Sequence, residues 1–184
     1  MFSVVLPVHN EEKMLKRTFK TVLSIRPNEV VVVLDRCNDA SEAIVRILAR
    51  KYGTNLKLVR ISKKSNWRIH LNYLYDIGIK NSSNDLVLLT QADIALDPRI
   101  REYVVKAKER IIFFGYIPYI SWSGMITFVQ FNLPYKYRST GLVAINKYIY
   151  FKYRLIEDLN ILFDTQIATK SRIYKIPFEF IMTK

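Results

Sequence analysis

Residues 2–12 read FSVVLPVHNEE, an apolar run that ends in four polar positions. The pattern recurs at residues 29–41, EVVVVLDRCNDAS, and at residues 85–98, DLVLLTQADIALDP. A strand that is apolar at every position is typical of a parallel sheet covered on both faces. Because the carboxyl ends of parallel strands meet at one edge of the sheet, the polar loops that follow these runs are expected to lie together. Carboxylates in such loops can surround a nucleoside diphosphate and its metal ion.

The composition fits one globular domain. Half of the 184 residues are apolar, which is enough for a full hydrophobic core and argues against disorder. Lysine and arginine number 29 against 16 aspartate and glutamate residues, so the formal net charge of +13 would attract nucleotides, anionic lipids or nucleic acid alike. Cys37 is the only cysteine, which excludes an internal disulfide and a multi-cysteine zinc site and fits a reducing compartment.

We expect a cytoplasmic protein with peripheral contact to anionic membranes. A strand-like run begins at residue 2 without the basic leader of a signal peptide. Glycine, proline, serine and amide residues interrupt the most apolar stretch, residues 111–134, so it predicts buried strands with a hairpin and no membrane-spanning helix. The aromatic and basic residues between 116 and 138 suit sugar rings, phosphates or lipid head groups.

Strand and helix patterns alternate over the first two thirds of the chain. Further strands are expected over residues 56–61 and 86–90. Helices are expected after a cap at Asn10, around residues 43–48, over residues 67–79 and from residue 98. Apolar strands and one more helix, near residues 158–170, complete the chain. This order predicts an α/β fold in one domain, residues 1–184.

A fourth segment, IEDLNILFDTQIATKSRIYKIP at residues 156–177, makes the pattern specific. Together with LPVHNEE, VVVLDRCNDAS and TQADIALDP it resembles the inverting nucleotide-sugar glycosyltransferases of family 2, which have the GT-A fold. The resemblance implies a Rossmann-like, mostly parallel central sheet flanked by helices, with a small C-terminal mixed-strand acceptor region. It also implies a nucleotide-binding half at residues 1–98 and an acceptor-side half at residues 99–184.

The implied reaction moves a sugar from a nucleoside-diphosphate donor to an acceptor hydroxyl with inversion. A divalent cation, Mn²⁺ or Mg²⁺, would offset the growing negative charge on the leaving diphosphate. Asp93 matches the metal-binding aspartate of the family's Asp-x-Asp segment. Gln91 replaces the first aspartate and is a poorer cation ligand, and with Ala92 it is expected to contact the nucleotide sugar. The acceptor would be a sugar, a protein or a lipid-linked molecule.

The resemblance also places residues around the nucleotide. Four are expected near the base and ribose: Pro7, Val8, His9 and Glu11. In the family, a pair of aspartates at the end of the second strand holds the base and ribose. Leu34 replaces the first aspartate here, so Asp35 alone would accept a hydrogen bond from a base N–H. Lys64 and Arg68 would contact the diphosphate, although a solvated basic face explains each of them equally well. Asp39 is interpreted equally as a ligand or as a helix cap.

An inverting transfer needs a base that removes the proton of the acceptor hydroxyl. The resemblance points to the Glu-Asp pair at residues 157–158, and Asp158 is our candidate. Asp164 is the alternative, because FDTQIATK also resembles a Phe-Asp-x-Glu segment of polyprenyl-phosphate hexose synthases. For both residues the competing interpretation is ordinary charge on an amphipathic helix.

Two other function classes stay open. A catalytically weak or inactive relative that keeps the nucleotide pocket is favoured by Gln91 and Leu34. A basic nucleic-acid-binding protein is the third class, but the sequence has no recognised nucleic-acid motif and no dense run of lysine and arginine. Nucleic acid is therefore not the expected partner.

Overall fold

The structure is a computed structural model that describes residues 1–115, 119–120, 126–127 and 141–182. The strands are β1 (Phe2–Val8), β2 (Glu29–Asp35), β3 (Asn55–Ile61), β4 (Leu86–Leu89), β5 (Ile111–Gly115), β6 (Tyr119–Ile120), β7 (Ile126–Thr127), β8 (Val143–Asn146) and β9 (Phe178–Met182). The helices are α1 (Glu12–Ser24), α2 (Ser41–Tyr52), α3 (His70–Asn81), α4 (Ile100–Val104), α5 (Lys147–Tyr153) and α6 (Phe163–Ile173).

Seven strands form one sheet in the order β3-β2-β1-β4-β8-β5-β9. Only β8 runs antiparallel to its neighbours, so the predicted mostly parallel sheet is confirmed. Chain order reverses at β1, which lies between β2 and β4, and a crevice is expected at the carboxyl ends of these strands. The strands of the second half extend this same sheet; the functional division at residue 98 stays a prediction.

Helices cover both faces of the sheet, which explains why its central strands are apolar on both faces. Val4 and Leu6 of β1 face a core shared with α1 and α2. Val5, between them, faces the other core, with α3, α5 and α6. Helix α3 packs so closely that a Cβ at Gly78 would lie 2.2 Å from a methyl group of Val5. This close packing holds α3 against β1.

Several helix boundaries differ from the expectation. The expected cap at Asn10 is wrong: this residue has a left-handed backbone (φ 53°), and its side-chain oxygen accepts the N–H of Asn38 at 2.8 Å. Helix α3 begins at residue 70, so residues 62–69 form a loop. Helix α4 begins two residues after Pro98, while Asp97 accepts the N–H of Arg99 at 2.8 Å, as a cap does.

The second half contains a helix, α5, that the sequence patterns did not indicate. Strands β6 and β7 form a separate antiparallel pair, and the rest of residues 116–140, which include most of the aromatic and basic segment, lies outside the described residues. Among the described ranges, every helix is too short or too polar to cross a bilayer.

Candidate active site

The crevice opens where β1 continues past the end of β4. The pairing of β1 with β4 stops at Val5, whereas its pairing with β2 continues to Val8. The last bond toward β4 runs from the N–H of Thr90 to the carbonyl of Val5, at 3.1 Å. Pro7 lies on the same side of β1, beyond the end of the pairing with β4. Proline has no N–H, so no donor on this side is left without a strand partner. Pro7 and Val8 are buried at the floor of the crevice, and the exposed His9 lies at its rim.

Asp35 ends β2 beside this floor and is 3% exposed. Its carboxylate accepts two hydrogen bonds from the Arg36 guanidinium, both at 2.8 Å, and lies 3.0 Å from His70 Nε2. The Arg36 bonds, helped by His70, outweigh burial and lower the pKa of Asp35 to about 2. His9 Nδ1 lies 2.6 Å from the Asp35 carbonyl and therefore donates to it, since a carbonyl only accepts. Asp35 is thus an ionised, oriented acceptor in the crevice.

Two carboxylates on the other side of β1 are electrostatically unfavourable as they stand. Burial raises the pKa of Asp93, which follows β4. Burial also raises the pKa of Glu11, and the charges of Asp93 and Asp39 raise it further. A carboxylate whose ionisation is disfavoured by burial or by a neighbouring negative charge is stabilised by a cation placed beside it. Glu11 and Asp93 therefore fit a site that receives positive charge.

The loops after β1 and β2 cap each other's helices. Asp39 accepts the N–H of Glu12 at 3.0 Å and that of Ser41 at 2.9 Å, so it caps both α1 and α2. In return, Glu12 accepts the N–H of Ala40 at 3.1 Å, and the Ser41 hydroxyl accepts the N–H of Glu11 at 2.9 Å. The interpretation of Asp39 as a helix cap is therefore supported. These hydrogen bonds between the two loops also fix the position of Glu11.

Helix α1 also holds the loop after β4, through residues that the sequence patterns missed. Thr18 donates to the carbonyl of Ala92 at 2.5 Å, and the Thr21 hydroxyl accepts the N–H of Leu96 at 2.8 Å. Ala92 is buried, whereas Gln91 and Asp93 on either side of it are half-buried. Two threonines three residues apart are a weak sequence signal, because their partners lie more than 70 residues away.

Gly141 is a second missed residue. Its backbone is left-handed (φ 58°), which favours glycine, and a Cβ there would lie 2.9 Å from Gln91 Nε2, so the Gln91 side chain would have to shift. Its N–H also lies 3.5 Å from Asp164 Oδ2. Asp164 is 2% exposed in the first turn of α6 and accepts the N–H of Thr165 at 2.8 Å. Gly141 therefore brings the alternative base close to the Asp-x-Asp-like segment.

Asp158 does not lie on a helix, so the expected helix over residues 158–170 is wrong at its start. Residues 154–162 are irregular and α6 begins at residue 163. The cause is the buried side chain of Gln166, which accepts the N–H of Glu157 at 2.9 Å and donates to the carbonyls of Glu157 and Ile161. These bonds satisfy backbone groups that a helix would otherwise pair.

The loop over residues 62–69 reaches across to this irregular segment. The exposed carboxylate of Asp158 accepts the N–H of Arg68 at 2.5 Å. Asn72 Nδ2 donates to the carbonyl of Ile161 at 2.8 Å. The side chains of Lys64 and Arg68 are exposed, so both the diphosphate contact and the solvated basic face remain compatible with their positions.

Two buried oxygen atoms near the site accept no hydrogen bond from the described residues. In the described part of the chain, the buried Oδ1 of Asn72 and Oγ1 of Thr90 have no hydrogen-bond partner. The same residues include no group of three His, Cys, Asp or Glu side chains placed to hold a metal ion. This still fits Mg²⁺ or Mn²⁺, since such ions are commonly held by one or two carboxylates together with substrate phosphates.

A model of glycosyl transferase family 2 matches residues 3–166 of this chain. Undecaprenyl-phosphate 4-deoxy-4-formamido-L-arabinose transferase of Pseudomonas aeruginosa is 32% identical over 103 residues, which cover 53% of this chain and 29% of that relative. The chain thus matches less than a third of the length of this curated relative.

Solved structures share the fold at low identity. S. aureus TarS has a TM-score of 0.74 at 18% identity and covers 100% of this chain, which matches 35% of that one. TarS 1–349 in complex with UDP has a TM-score of 0.69 at 15% identity, over 100% of this chain and 58% of that one. Glucosyl-3-phosphoglycerate synthase from Mycobacterium tuberculosis, solved with Mn²⁺, UDP and glucosyl-3-phosphoglycerate, has a TM-score of 0.61 at 14% identity, over 99% of this chain and 69% of that one.

Proposed function

This chain belongs to glycosyl transferase family 2 and has the GT-A fold. We propose that it transfers a sugar from a nucleoside-diphosphate donor to an acceptor hydroxyl, with inversion and with the assistance of a divalent cation. One observation carries the proposal: Asp35, Glu11 and Asp93 follow three adjacent strands and meet at one edge of the sheet. Asp35 is an oriented acceptor, whereas Glu11 and Asp93 favour positive charge.

The donor base would bind at Asp35. Its carboxylate is ionised at neutral pH and can accept a base N–H, with Pro7, Val8 and His9 beside the base and Glu11 near the ribose. Related structures contain UDP, and the uracil ring carries such an N–H. UDP-sugars are therefore the first donors to test.

The diphosphate would lie toward the loop after β4. Asp93 would hold the cation, and Gln91 and Ala92 would contact the nucleotide sugar, with Gln91 offering hydrogen bonds but no charge. A bound cation would supply electrostatic stabilisation of the leaving diphosphate. Lys64 and Arg68 would add positive charge from the opposite side of the crevice.

Asp158 remains the proposed base and Asp164 its alternative. Asp158 is exposed and can meet an acceptor hydroxyl that enters from solvent, although one oxygen already accepts the N–H of Arg68. Asp164 lies nearer Gln91 through Gly141, but it is buried and already accepts hydrogen bonds. Exposure favours Asp158, because a general base must reach the proton that it removes.

A lipid-linked molecule is the acceptor class that the surroundings of Asp158 favour. Leu159, Ile161 and Leu162 are exposed apolar residues directly after Asp158. An acceptor with a hydrocarbon chain would cover them, whereas a free sugar would leave them in water. The Pseudomonas relative is named for an undecaprenyl-phosphate acceptor, which supports the same class.

A surface on α5 and at the end of α6 would hold the enzyme at an anionic membrane. It consists of Tyr148 and Phe151 on α5, together with Ile173 and Tyr174, all exposed. The Lys152 ammonium lies over the Tyr148 ring at 5.5 Å. The same segments carry further basic residues: Lys147, Arg154, Arg172 and Lys175. Aromatic rings and lysine stems suit the head-group region, where each basic residue adds about 1 kcal/mol. The expected cytoplasmic location stays a prediction.

Sedimentation with phosphatidylglycerol vesicles and with neutral vesicles tests this surface. Ile173→Ser should weaken binding to anionic vesicles by about tenfold, because the side chain would no longer be buried in the membrane. Ile47→Ser is the matched control, since Ile173 and Ile47 are both 66% exposed and Ile47 lies on α2, across the sheet. Equal binding of both variants, or equal binding to neutral vesicles, would remove the membrane from the proposal.

The whole proposal is tested with a panel of nucleotide sugars and Mn²⁺ or Mg²⁺. We expect one donor to raise the melting temperature and to release its nucleoside diphosphate when an acceptor is added. Stabilisation without release would favour the catalytically weak or inactive relative, which the neutral Gln91 makes the second candidate. Salt-sensitive duplex binding that nucleotides do not compete would favour the nucleic-acid class instead.

A further inference from the structure

His70, the first residue of α3, joins two parts of the crevice. Its Nε2 lies 3.0 Å from Asp35 Oδ1, and its Nδ1 accepts the N–H of Ser65 at 3.0 Å. Because a backbone N–H only donates, Nδ1 carries the lone pair and the neutral ring carries its proton on Nε2. His70 therefore donates to Asp35 while the backbone of the 62–69 loop donates to His70.

His70 also influences which part of the Asp35 carboxylate remains available. Among the described residues, Oδ1 accepts from Arg36 Nε and His70 Nε2, and Oδ2 accepts from Arg36 Nη2. A carboxylate has about four lone-pair positions, so one position remains, on Oδ2. This oxygen lies 3.6 Å from His9 Nδ1, at the rim where a nucleobase would enter.

The far end of the same loop is fastened to the candidate base. The N–H of Arg68 donates to Asp158 at 2.5 Å. The His70 ring stacks on Tyr73 at 5.8 Å, and Trp67 meets the same tyrosine edge-on at 5.8 Å. The loop that carries Lys64 and Arg68 is thus held by Asp35, through His70, at one end and by Asp158 at the other.

We propose that His70 is a positioning residue that couples nucleobase recognition at Asp35 to the placement of the 62–69 loop against the donor diphosphate. This inference rests on the proposed function, because it requires the donor to bind in this crevice. A base N–H on Oδ2 fixes the carboxylate, and His70 transmits that constraint to Ser65 and the rest of the loop. Lys64 and Arg68 then face the diphosphate in a defined position.

Two substitutions separate the two hydrogen bonds of His70, the one to Asp35 and the one from Ser65. His70→Gln places an amide near the Nε2 position, which keeps a donor for Asp35 and removes the acceptor for Ser65. His70→Asn places an amide near the Nδ1 position, which keeps the acceptor for Ser65 and removes the donor for Asp35. His70→Ala removes both hydrogen bonds. The matched control is Tyr150→Phe, which removes a buried hydrogen bond to a carboxylate, the 2.5 Å bond to Asp76, elsewhere on α3.

The measurement is calorimetric binding of uridine and of UDP, or of the equivalent pair that the donor panel selects. His70→Gln should bind the nucleoside as the wild type does but lose about tenfold of the affinity that the diphosphate adds. His70→Asn should lose about tenfold already with the nucleoside, and His70→Ala should show both losses. In transfer assays these losses should raise the KM for the donor.

Two results would overturn the coupling. The first is wild-type affinity of every His70 variant for both ligands. The second is equal loss in Tyr150→Phe, because a structural role would then account for the effect. A wild-type protein that binds no nucleoside and no nucleoside diphosphate would instead overturn the proposed function, and this inference with it.

Discussion

The two edges of the central sheet differ in how fully the protein stabilises the carboxylates that lie there. At the amino edge, Glu29 is 3% exposed and accepts the hydroxyl of Ser3 at 2.6 Å. It also accepts the N–H and the hydroxyl of Ser83, both at 2.8 Å. Burial opposes ionisation of Glu29, but these hydrogen bonds outweigh it and lower the pKa of the side chain. The charge of Glu29 is therefore stabilised by groups within the protein.

At the carboxyl edge Arg36 and His70 stabilise Asp35 in the same way, but two half-buried carboxylates are left unfavourable. Burial raises the pKa of Asp93 and of Glu11, and buried oxygens of Thr90 and Asn72 have no partner in the described ranges. The comparison teaches that the amino edge is stabilised within the protein, while the carboxyl edge also holds an electrostatic cost that a bound donor and cation would relieve.

The largest expected effect separates the two candidate bases at the carboxyl edge. Asp158→Asn should lower transfer by about 10²–10⁴-fold while leaving nucleotide affinity nearly unchanged, because the base acts on the acceptor and not on the donor. Asp164→Asn should have a much smaller effect on turnover. Initial rates and donor binding are measured on folded variants.

The reverse outcome would correct the assignment. If Asp164→Asn abolished transfer while Asp158→Asn stayed active, the base would be the buried residue of α6, and Asp158 would only fasten the loop through Arg68.

The second prediction compares the two edges directly in the protein without ligands. Glu29→Gln should lower the free energy of unfolding by about 2 kcal/mol, because an amide leaves donors of Ser3 and Ser83 unmatched. Asp93→Asn should leave stability unchanged or raise it, because burial disfavours the charge that it removes. Urea unfolding at neutral pH measures both variants. A larger loss from Asp93→Asn than from Glu29→Gln would contradict the division of roles.

The third prediction concerns pH. The pKa of Asp35 is about 2 in the folded protein, against an ordinary value of 3.8. Ionisation of Asp35 therefore stabilises the native state at pH values above 3.8. This contribution, about 2 kcal/mol, should be lost as the pH falls from about 4 toward 2. In unfolding measured across this range, the stability gap between wild type and Asp35→Asn should shrink on acidification. A gap that stays constant would mean that Arg36 and His70 do not favour the charged form.

The smallest effect compares two left-handed glycines. Gly141→Ala and Gly53→Ala should each cost about 1 kcal/mol through backbone strain. Only Gly141→Ala should raise the KM for the donor, because a Cβ there would lie 2.9 Å from Gln91 Nε2, whereas nothing lies within 4 Å of a Cβ at Gly53. Equal KM values for the two variants would show that Gln91 is not held at the donor.

The sequence predicted the elements whose signal is local. Strands β1, β2 and β4 are buried at every position and mostly apolar because the sheet is covered on both faces, and the polar residues after them mark the crevice. The short helix α5 was missed because KYIYFKY is rich in aromatic residues, which are weak helix formers.

The rest of the site depends on partners distant in sequence. His70 contacts Asp35 from 35 positions away, and Thr18 reaches Ala92 from 74 positions away. Gln166 keeps Asp158 off a helix by bonding backbone groups up to 9 positions earlier. No pattern within one segment shows such contacts, so the motifs indicated Asp35, Asp93 and Asp158 but not the residues that hold them.

The measurement that tests the central claim most directly is calorimetric titration of a nucleoside diphosphate, with and without Mn²⁺, into wild type, Asp93→Asn and Glu29→Gln. We predict that Mn²⁺ strengthens nucleotide binding to the wild type and to Glu29→Gln, whose altered carboxylate lies at the amino edge. Asp93→Asn should lose this metal-dependent part. Equal responses to Mn²⁺ from wild type and Asp93→Asn would contradict the account, because the cation would then not be held by the carboxylate that follows β4.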